Sequence, residues 1–389
     1  MNWNDDSESF QISINRTVYT CAARYIKDIS QYRSYTTSVP PPATGTNGQR
    51  RYNVGVFGAG RIASSVHINN ILRDRRFNLK WVVEDNPVQA QIVQNNYFLQ
   101  DTPFFTSKER EMLLSDKNLD AVFVFTSTPT HADFICSSLN SGKNVMTEKP
   151  TGENSTDIKL CYETAEKKGK VLLTGFQRRF DPVFKEMREI AMNGSLGTLQ
   201  LLKVTTRDNP KPSYEFLKSA DRTGCNIISD LAVHDIDMTV WLTMCVRPVS
   251  IYTVTHIHDA TLQDIGEPDV VTLTIKFENG LIATIDVVRE AVYGYDIRTE
   301  LFGTLGMAQS DNPRRTTAIV DKVDGATMQP LFYSFPQRFE KAFATEISHF
   351  YDCLNGDTKP LITKEECLLV QEIVNKGIES YKTGQVVPF

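Results

Sequence analysis

The chain has 389 residues, 41% of them hydrophobic and 23% charged, which is the balance of a globular protein with room for about two domains. A formal net charge of −5 excludes the strongly basic footprint of a nucleic-acid binder. No apolar run approaches the roughly 18 residues of a membrane span.

The first residues, MNWNDDSESF, are acidic and lack the basic and apolar regions of a secretory signal. Seven cysteines contain no C-x-x-C pair, so neither a disulfide framework nor a zinc site is expected, and the reading is a cytoplasmic protein with reduced thiols. Residues 1–50 close on SVPPPATGTNGQR, a linker-like stretch, and are expected to be a poorly ordered extension.

The pattern becomes regular at Tyr52. YNVGVFG predicts an apolar strand closed by glycine, RIASSVHINNIL a helix, LKWVVED a second strand and PVQAQIVQNNY a second helix. LDAVFVFTSTP holds the continuous apolar run of a strand buried on both faces. HADFICSSLNSGK is a helix closed by glycine, and NVMTEKP is another strand. Strands alternating with helices imply a parallel sheet with right-handed crossovers.

Within this region GVFGAGRIAS sets Gly58 and Gly60 at the first strand-to-helix turn, with Ala63 at the third small position. The first glycine allows a tight turn, the second lets backbone approach a pyrophosphate, and the small third residue lets helix and strand close together. The helix opening at Arg61 and Ile62 turns its unpaired N–H groups toward the phosphates. The expected fold is therefore α/β: a Rossmann-type parallel-sheet domain over residues 51–174 that binds NAD. The second strand ends in Glu84-Asp85-Asn86, where an acid can accept hydrogen bonds from the ribose 2′-OH of NAD and repel the 2′-phosphate of NADP. Asp85 is preferred to Glu84 because the contact should come from the very end of the strand.

After about residue 175 the texture changes. LQLLKVTTRD, SIYTVTHIHD, VVTLTIKFENG, LIATIDVVRE and YDIRTELFGTLG read as strands, several with period-2 alternation, and Asn-Gly in FENGL marks a hairpin. SDLAVHDIDMTVWLTM is a helix among them, and QRFEKAFATEISHFYDCL and EECLLVQEIVNKGIESYK are two amphipathic helices. Residues 175–389 are thus expected to form an α+β domain with an open, mostly antiparallel sheet.

Two segments carry chemistry. Glu148-Lys149-Pro150 stands at a strand end, beside the crevice where open α/β sheets bind ligands. Asp230 and His234 are four residues apart, on one face of a helix, and an Asp that orients a His is a recurring base arrangement. Elsewhere, His256 and His258 share a strand face without a third ligand, so no metal is expected. Arg289 and Glu290 follow a strand and receive no role.

Taken in order, GVFGAGRIA, FTSTPTHADFICSSLNSGKNVMTEKP, GFQRRFDP, SDLAVHDIDMTVWL, AVYGYDIRTELFGTLG and RFEKAFATEISHF resemble the Gfo/Idh/MocA oxidoreductase family, with its inositol 2-dehydrogenases nearest. The resemblance covers about residues 52–389. It implies that Lys149 holds the reacting hydroxyl, that Asp230 orients His234, and that His234 removes the hydroxyl proton. It further implies that Arg178, Asn209 and Tyr295 contact ring hydroxyls, and that Thr126, Ser127, Thr128, Pro129, His131 and Glu148 line the cofactor. The implied activity is NAD-dependent oxidation of a cyclic polyol or sugar, myo-inositol first, by a homo-oligomer assembled through the C-terminal sheet. Another sugar or a dihydrodiol is an alternative substrate. A non-catalytic, NAD-sensing regulator is a third reading, one expected to lack the Lys or the His. KPSYEFLKSADRTGC makes a longer loop before the Asp-x-x-x-His segment than the resemblance implies.

Overall fold

The computed structural model describes residues 50–218 and 226–389. Apart from Arg50, the expected N-terminal extension lies outside the described residues, as does 219–225 of the long loop. Arg50–Phe389 form one compact unit.

Its first sheet has six strands: β1 (Tyr52–Phe57), β2 (Phe77–Val83), β3 (Phe104–Phe105), β4 (Ala121–Val124), β5 (Asn144–Glu148) and β6 (Leu172–Gly175). All pair in parallel, in the order β3-β2-β1-β4-β5-β6. All four residues of β4 are buried, as the apolar run required of a strand with both faces covered. The intervening helices are α1 (Ile68–Arg73), α2 (Pro87–Asn96), α3 (Thr128–Asn140) and α4 (Ser155–Lys168). Asn86 and Asn154 cap α2 and α4 by accepting backbone N–H groups, and Gly169 closes α4 at φ 60°. The strand order reverses between β1 and β4. Ligands of such sheets bind outside the carboxyl ends at this switch point.

α5 (Pro182–Met192) leads into the second sheet of β7 (Leu199–Arg207), β8 (Pro248–His256), β9 (Val270–Phe277), β10 (Ile282–Val288), β11 (Asp296–Gly303) and β12 (Gly306–Ser310). The order is β12-β11-β7-β10-β9-β8-β13, with β13 (Val387–Pro388) at one edge, and only β7 and β10 pair in parallel. β9 shows the alternation plainly: Val271, Leu273, Ile275 and Phe277 are buried, and Thr272, Thr274 and Lys276 are exposed. The inner face packs on α6 (Val233–Leu242) and on the last helix. The outer face is open and exposes Leu201, Tyr252, Val254, Ile282, Phe302 and Met307.

Two long helices end the chain, α7 (Glu340–Asn355) and α8 (Lys364–Thr383). α7 turns back to the first sheet, where the Phe350 ring stands 5.5 Å from Phe123 and 6.5 Å from Phe77. α8 lies on the second, close enough that a Cβ on Gly377 would sit 3.2 Å from Leu273. Among the described residues no helix is long and apolar enough to cross a membrane.

Candidate active site

The backbone must reverse where β1 meets the π-helical turn Ala63–His67. Gly58 does so with φ 88°, and a Cβ there would lie 2.7 Å from the Phe125 carbonyl oxygen, so only glycine fits. At Gly60 nothing lies within 4 Å of an added Cβ, which leaves bare backbone facing an opening. Ala63 is fully buried, as close packing of helix and strand requires. The helix starts at Arg61, so its free N–H groups face the same opening. These residues fit a dinucleotide.

The acid at this turn is not the expected one. Glu84 accepts the Ala59 N–H at 2.9 Å and so lies against the glycine turn. Asp85 is exposed and accepts the Ser107 N–H at 2.7 Å, away from it. β2 ends at Val83, and neighbouring residues of an extended chain point to opposite sides. Of the two acids, Glu84 is the one against the glycine turn.

Ser127 precedes α3, and Thr128 and Pro129 form its first turn at the carboxyl edge; the Thr126 hydroxyl accepts from Thr130 at 2.8 Å. His131 is buried beneath, with one ring nitrogen 2.7 Å from the Pro150 carbonyl and the other 3.0 Å from that of Thr126. Glu148 is also buried, bound at 2.6 Å to His67 and at 3.2 Å to the Lys149 N–H. Both side chains are buried. Ile62 is half-buried against the core, and Arg61 lays its guanidinium 5.1 Å from the Phe216 ring and 5.7 Å from Phe335, toward the second sheet.

Lys149, Asp230 and His234 are brought together, but not as expected. The Lys149 ammonium donates to the Asp230 carbonyl at 2.7 Å and to its carboxylate at 3.3 Å. Burial would raise the Asp230 carboxyl, yet Lys149, Arg289 and Arg61 hold it below the usual range. His234 Nδ1 is buried and has no partner among the described residues, so Asp230 does not orient the imidazole. Asp230 sits in the π-helical turn Ile227–Ala232, and both its carboxylate oxygens are taken by cations, Oδ1 by Lys149 and Oδ2 by Arg289. Burial, then the charges of Lys149 and Arg178, push the His234 pKa well below an ordinary imidazole's, so the ring is neutral at neutral pH.

The expected readers of ring hydroxyls are largely engaged already. Arg178 is 1% exposed and donates to Asp235 and, at 3.2 Å, to the Thr206 hydroxyl. Tyr295 is buried and hydrogen-bonded to Arg178. The Asn209 amide donates to the Tyr333 carbonyl at 2.6 Å. Arg178 stands close enough to His234 to lower its pKa, and Tyr295 is bonded to Arg178.

A family model described as the oxidoreductase family, NAD-binding Rossmann fold, matches residues 52–176, and one described as the GFO/IDH/MocA C-terminal domain matches 184–309. An uncharacterized oxidoreductase of Bacillus subtilis is 31% identical, with 86% of this chain and 95% of that protein covered. The chain belongs to the Gfo/Idh/MocA oxidoreductase family. As a member it is an NAD-dependent oxidoreductase. A myo-inositol 2-dehydrogenase of Thermotoga maritima is 28% identical, with 85% of this chain and 97% of that protein covered. Among solved structures, a myo-inositol 2-dehydrogenase from Lactobacillus plantarum shares the fold, with a TM-score of 0.79 at 24% identity, 87% of this chain and 100% of that chain being covered.

Arg289, His67 and Glu346 were given no role in the sequence reading. Arg289, assigned no role, is fully buried and donates to Asp230 at 3.3 Å and to Glu267 at 2.6 Å. His67 and Glu346 are fully buried beside Glu148. A charged residue in an otherwise apolar stretch, as in LIATIDVVRE or FATEISHF, was the one signal available.

Proposed function

We propose that the chain is an NAD-dependent dehydrogenase that oxidises a secondary hydroxyl of a cyclic polyol, myo-inositol in the first place, to the keto compound. When bound, NAD supplies the hydride acceptor. Gly58, Gly60 and the helix opening at Arg61 would hold its pyrophosphate, and Glu84 its ribose.

The observation that carries the reading is the neutral imidazole of His234 beside the Lys149 ammonium, both at the carboxyl edge of the first sheet. Lys149 is anchored through Asp230 and keeps donor capacity for a substrate oxygen. His234 is half-buried with its Nδ1 enclosed, so Nε2 would be the nitrogen that takes the hydroxyl proton. Lys149 stabilises the negative charge that develops on that oxygen. The resulting imidazolium would lie near Lys149 and Arg178, which disfavours it, and the half-buried ring would pass the proton to bulk water. A non-catalytic regulator has no use for this set.

The polyol assignment is supported by the inositol dehydrogenases among the relatives. Assembly through the second sheet belongs to the same reading and is supported by the apolar residues on its open face. So does a cytoplasmic place, supported by the free thiols of Cys136, Cys161, Cys245, Cys353 and Cys367. The test is NADH formation with inositols, aldoses and sugar acids at equal concentration. Turnover of inositols is the expected result. Activity confined to aldoses or sugar acids overturns the inositol assignment.

A further inference from the structure

Arg289 follows β10 and is fully buried, its backbone N–H bound to the Asp269 carbonyl at 2.9 Å. A buried guanidinium is tolerated only where carboxylates face it. Two do: Glu267 at 2.6 Å and Asp230 at 3.3 Å. Glu267 also accepts a hydrogen bond from the Ile227 backbone, the first residue of the π-helical turn that carries Asp230. The brace therefore grips this turn at its start, through Glu267, and at Asp230, through Arg289. Asp230 uses one carboxylate oxygen for Arg289 and the other for Lys149. Charges alternate along Glu267, Arg289, Asp230 and Lys149, and the last of these stands in the site.

We propose that Arg289, braced by Glu267, is a positioning residue for the dehydrogenase reaction: it holds Asp230 so that Asp230 fixes the Lys149 ammonium against the reacting oxygen. The inference rests on the dehydrogenase reading above. A purely structural Arg289 would need only to neutralise Glu267. What marks a role in the reaction is the second bond, to the carboxylate that anchors Lys149. Without Arg289 the Asp230 carboxylate keeps Lys149 and the more distant Arg61 as cations, and faces the acids Glu267 and Asp208. It would then protonate at a higher pH and weaken its carboxylate bond to Lys149, leaving the ammonium held by the backbone carbonyl alone.

The experiment compares Arg289→Met, Arg289→Lys and Glu267→Gln with the wild type. It reads kcat, KM, the pH profile of kcat/KM, and NADH binding by fluorescence. Misplacing a reacting group by about 1 Å can cost 10²-fold in rate, so Arg289→Met should lower kcat about 10- to 100-fold with little change in NADH affinity. Its acidic limb should move to higher pH. Arg289→Lys should restore the limb and part of the rate, and Asp230→Asn added to Arg289→Met should cost little more. An unmoved acidic limb, or full additivity with Asp230→Asn, overturns the proposal. If Arg289→Met does not fold, Arg289→Lys and Glu267→Gln decide it: both with a wild-type pH profile and kcat would refute the role. Failure of the dehydrogenase reading shows separately, as undiminished turnover in Lys149→Ala and His234→Ala.

Discussion

Glu346→Gln tests the electrostatics beneath the site. Glu346 lies on α7, fully buried, and neither carboxyl oxygen has a partner among the described residues. Its approach to β6 is close: a Cβ added to Gly175 would stand 3.5 Å from Glu346 Oε1. Burial first, and then the Glu148 carboxylate, raise its pKa well above the ordinary carboxylate range. Glu148 itself stays ionised, because the His67 hydrogen bond and the nearby positive charge outweigh its own burial. In the unfolded chain Glu346 loses its proton above about pH 4.3, whereas in the fold it keeps it. The native state then binds one proton more than the unfolded state, so stability falls as pH rises. The slope is about 1.4 kcal/mol per pH unit, from the unfolded pKa up to the folded one. Glutamine has nothing to titrate in either state, so the variant lacks this slope. An amide placed there still buries a donor without a partner, at a cost of about 1–3 kcal/mol, so a single melting temperature decides nothing. The assay is urea unfolding of both proteins from pH 5 to pH 8, read as the difference between them. Other groups titrate alike in both and cancel. The variant should gain on the wild type by about 1.4 kcal/mol with each pH unit while Glu346 remains protonated. Parallel curves would refute the argument and mean that Glu346 is ionised in the fold.

Three further outcomes follow from the site. Glu84→Ala should weaken NAD binding and narrow the preference over NADP, while Asp85→Ala should leave both nearly unchanged; kinetics with each cofactor check this. His234→Ala and Lys149→Ala should each lose about 10²–10⁴ in turnover yet bind NADH, measured by fluorescence titration. Asp208 is pushed up to about 6 by burial, with Asp230 adding to the rise, so Asp208→Asn should remove one ionisation near pH 6 from the kcat/KM profile.

The sheets were legible because their signals are local. β4 is apolar throughout since both faces are covered, and β9 alternates since one face is open. The Asn279-Gly280 hairpin and the glycine turn at Gly58 follow from positive φ alone. What local pattern does not carry is a side chain's direction once a strand has ended. Glu84 and Asp85 are adjacent acids of similar chemistry, and moving the strand end by one residue exchanges which of them meets the glycine turn. Nor does it carry long-range pairing. The pairing of Arg178 with Asp235, 57 residues away, leaves no mark in the local sequence.

The Asp-x-x-x-His segment shows a different limit. Four-residue spacing places two side chains on one face of a helix but does not decide that they bond to each other. Here the first member lies in a π-helical turn and the second in the α-helix that follows; the carboxylate faces Lys149 and Arg289, while His234 Nδ1 has no partner among the described residues. The dinucleotide helix also begins with such a turn, Ala63–His67, and its last residue, His67, reaches Glu148 beneath the same edge. An extra residue in a turn re-aims what it carries without altering the apolar periodicity enough to be noticed. Both turns therefore deliver a charged or titratable side chain to the strand end that bears Lys149. On this geometry the Asp230 carboxylate faces the lysine, and among the described residues none reaches His234 Nδ1, while burial and two cations lower the pKa of that ring.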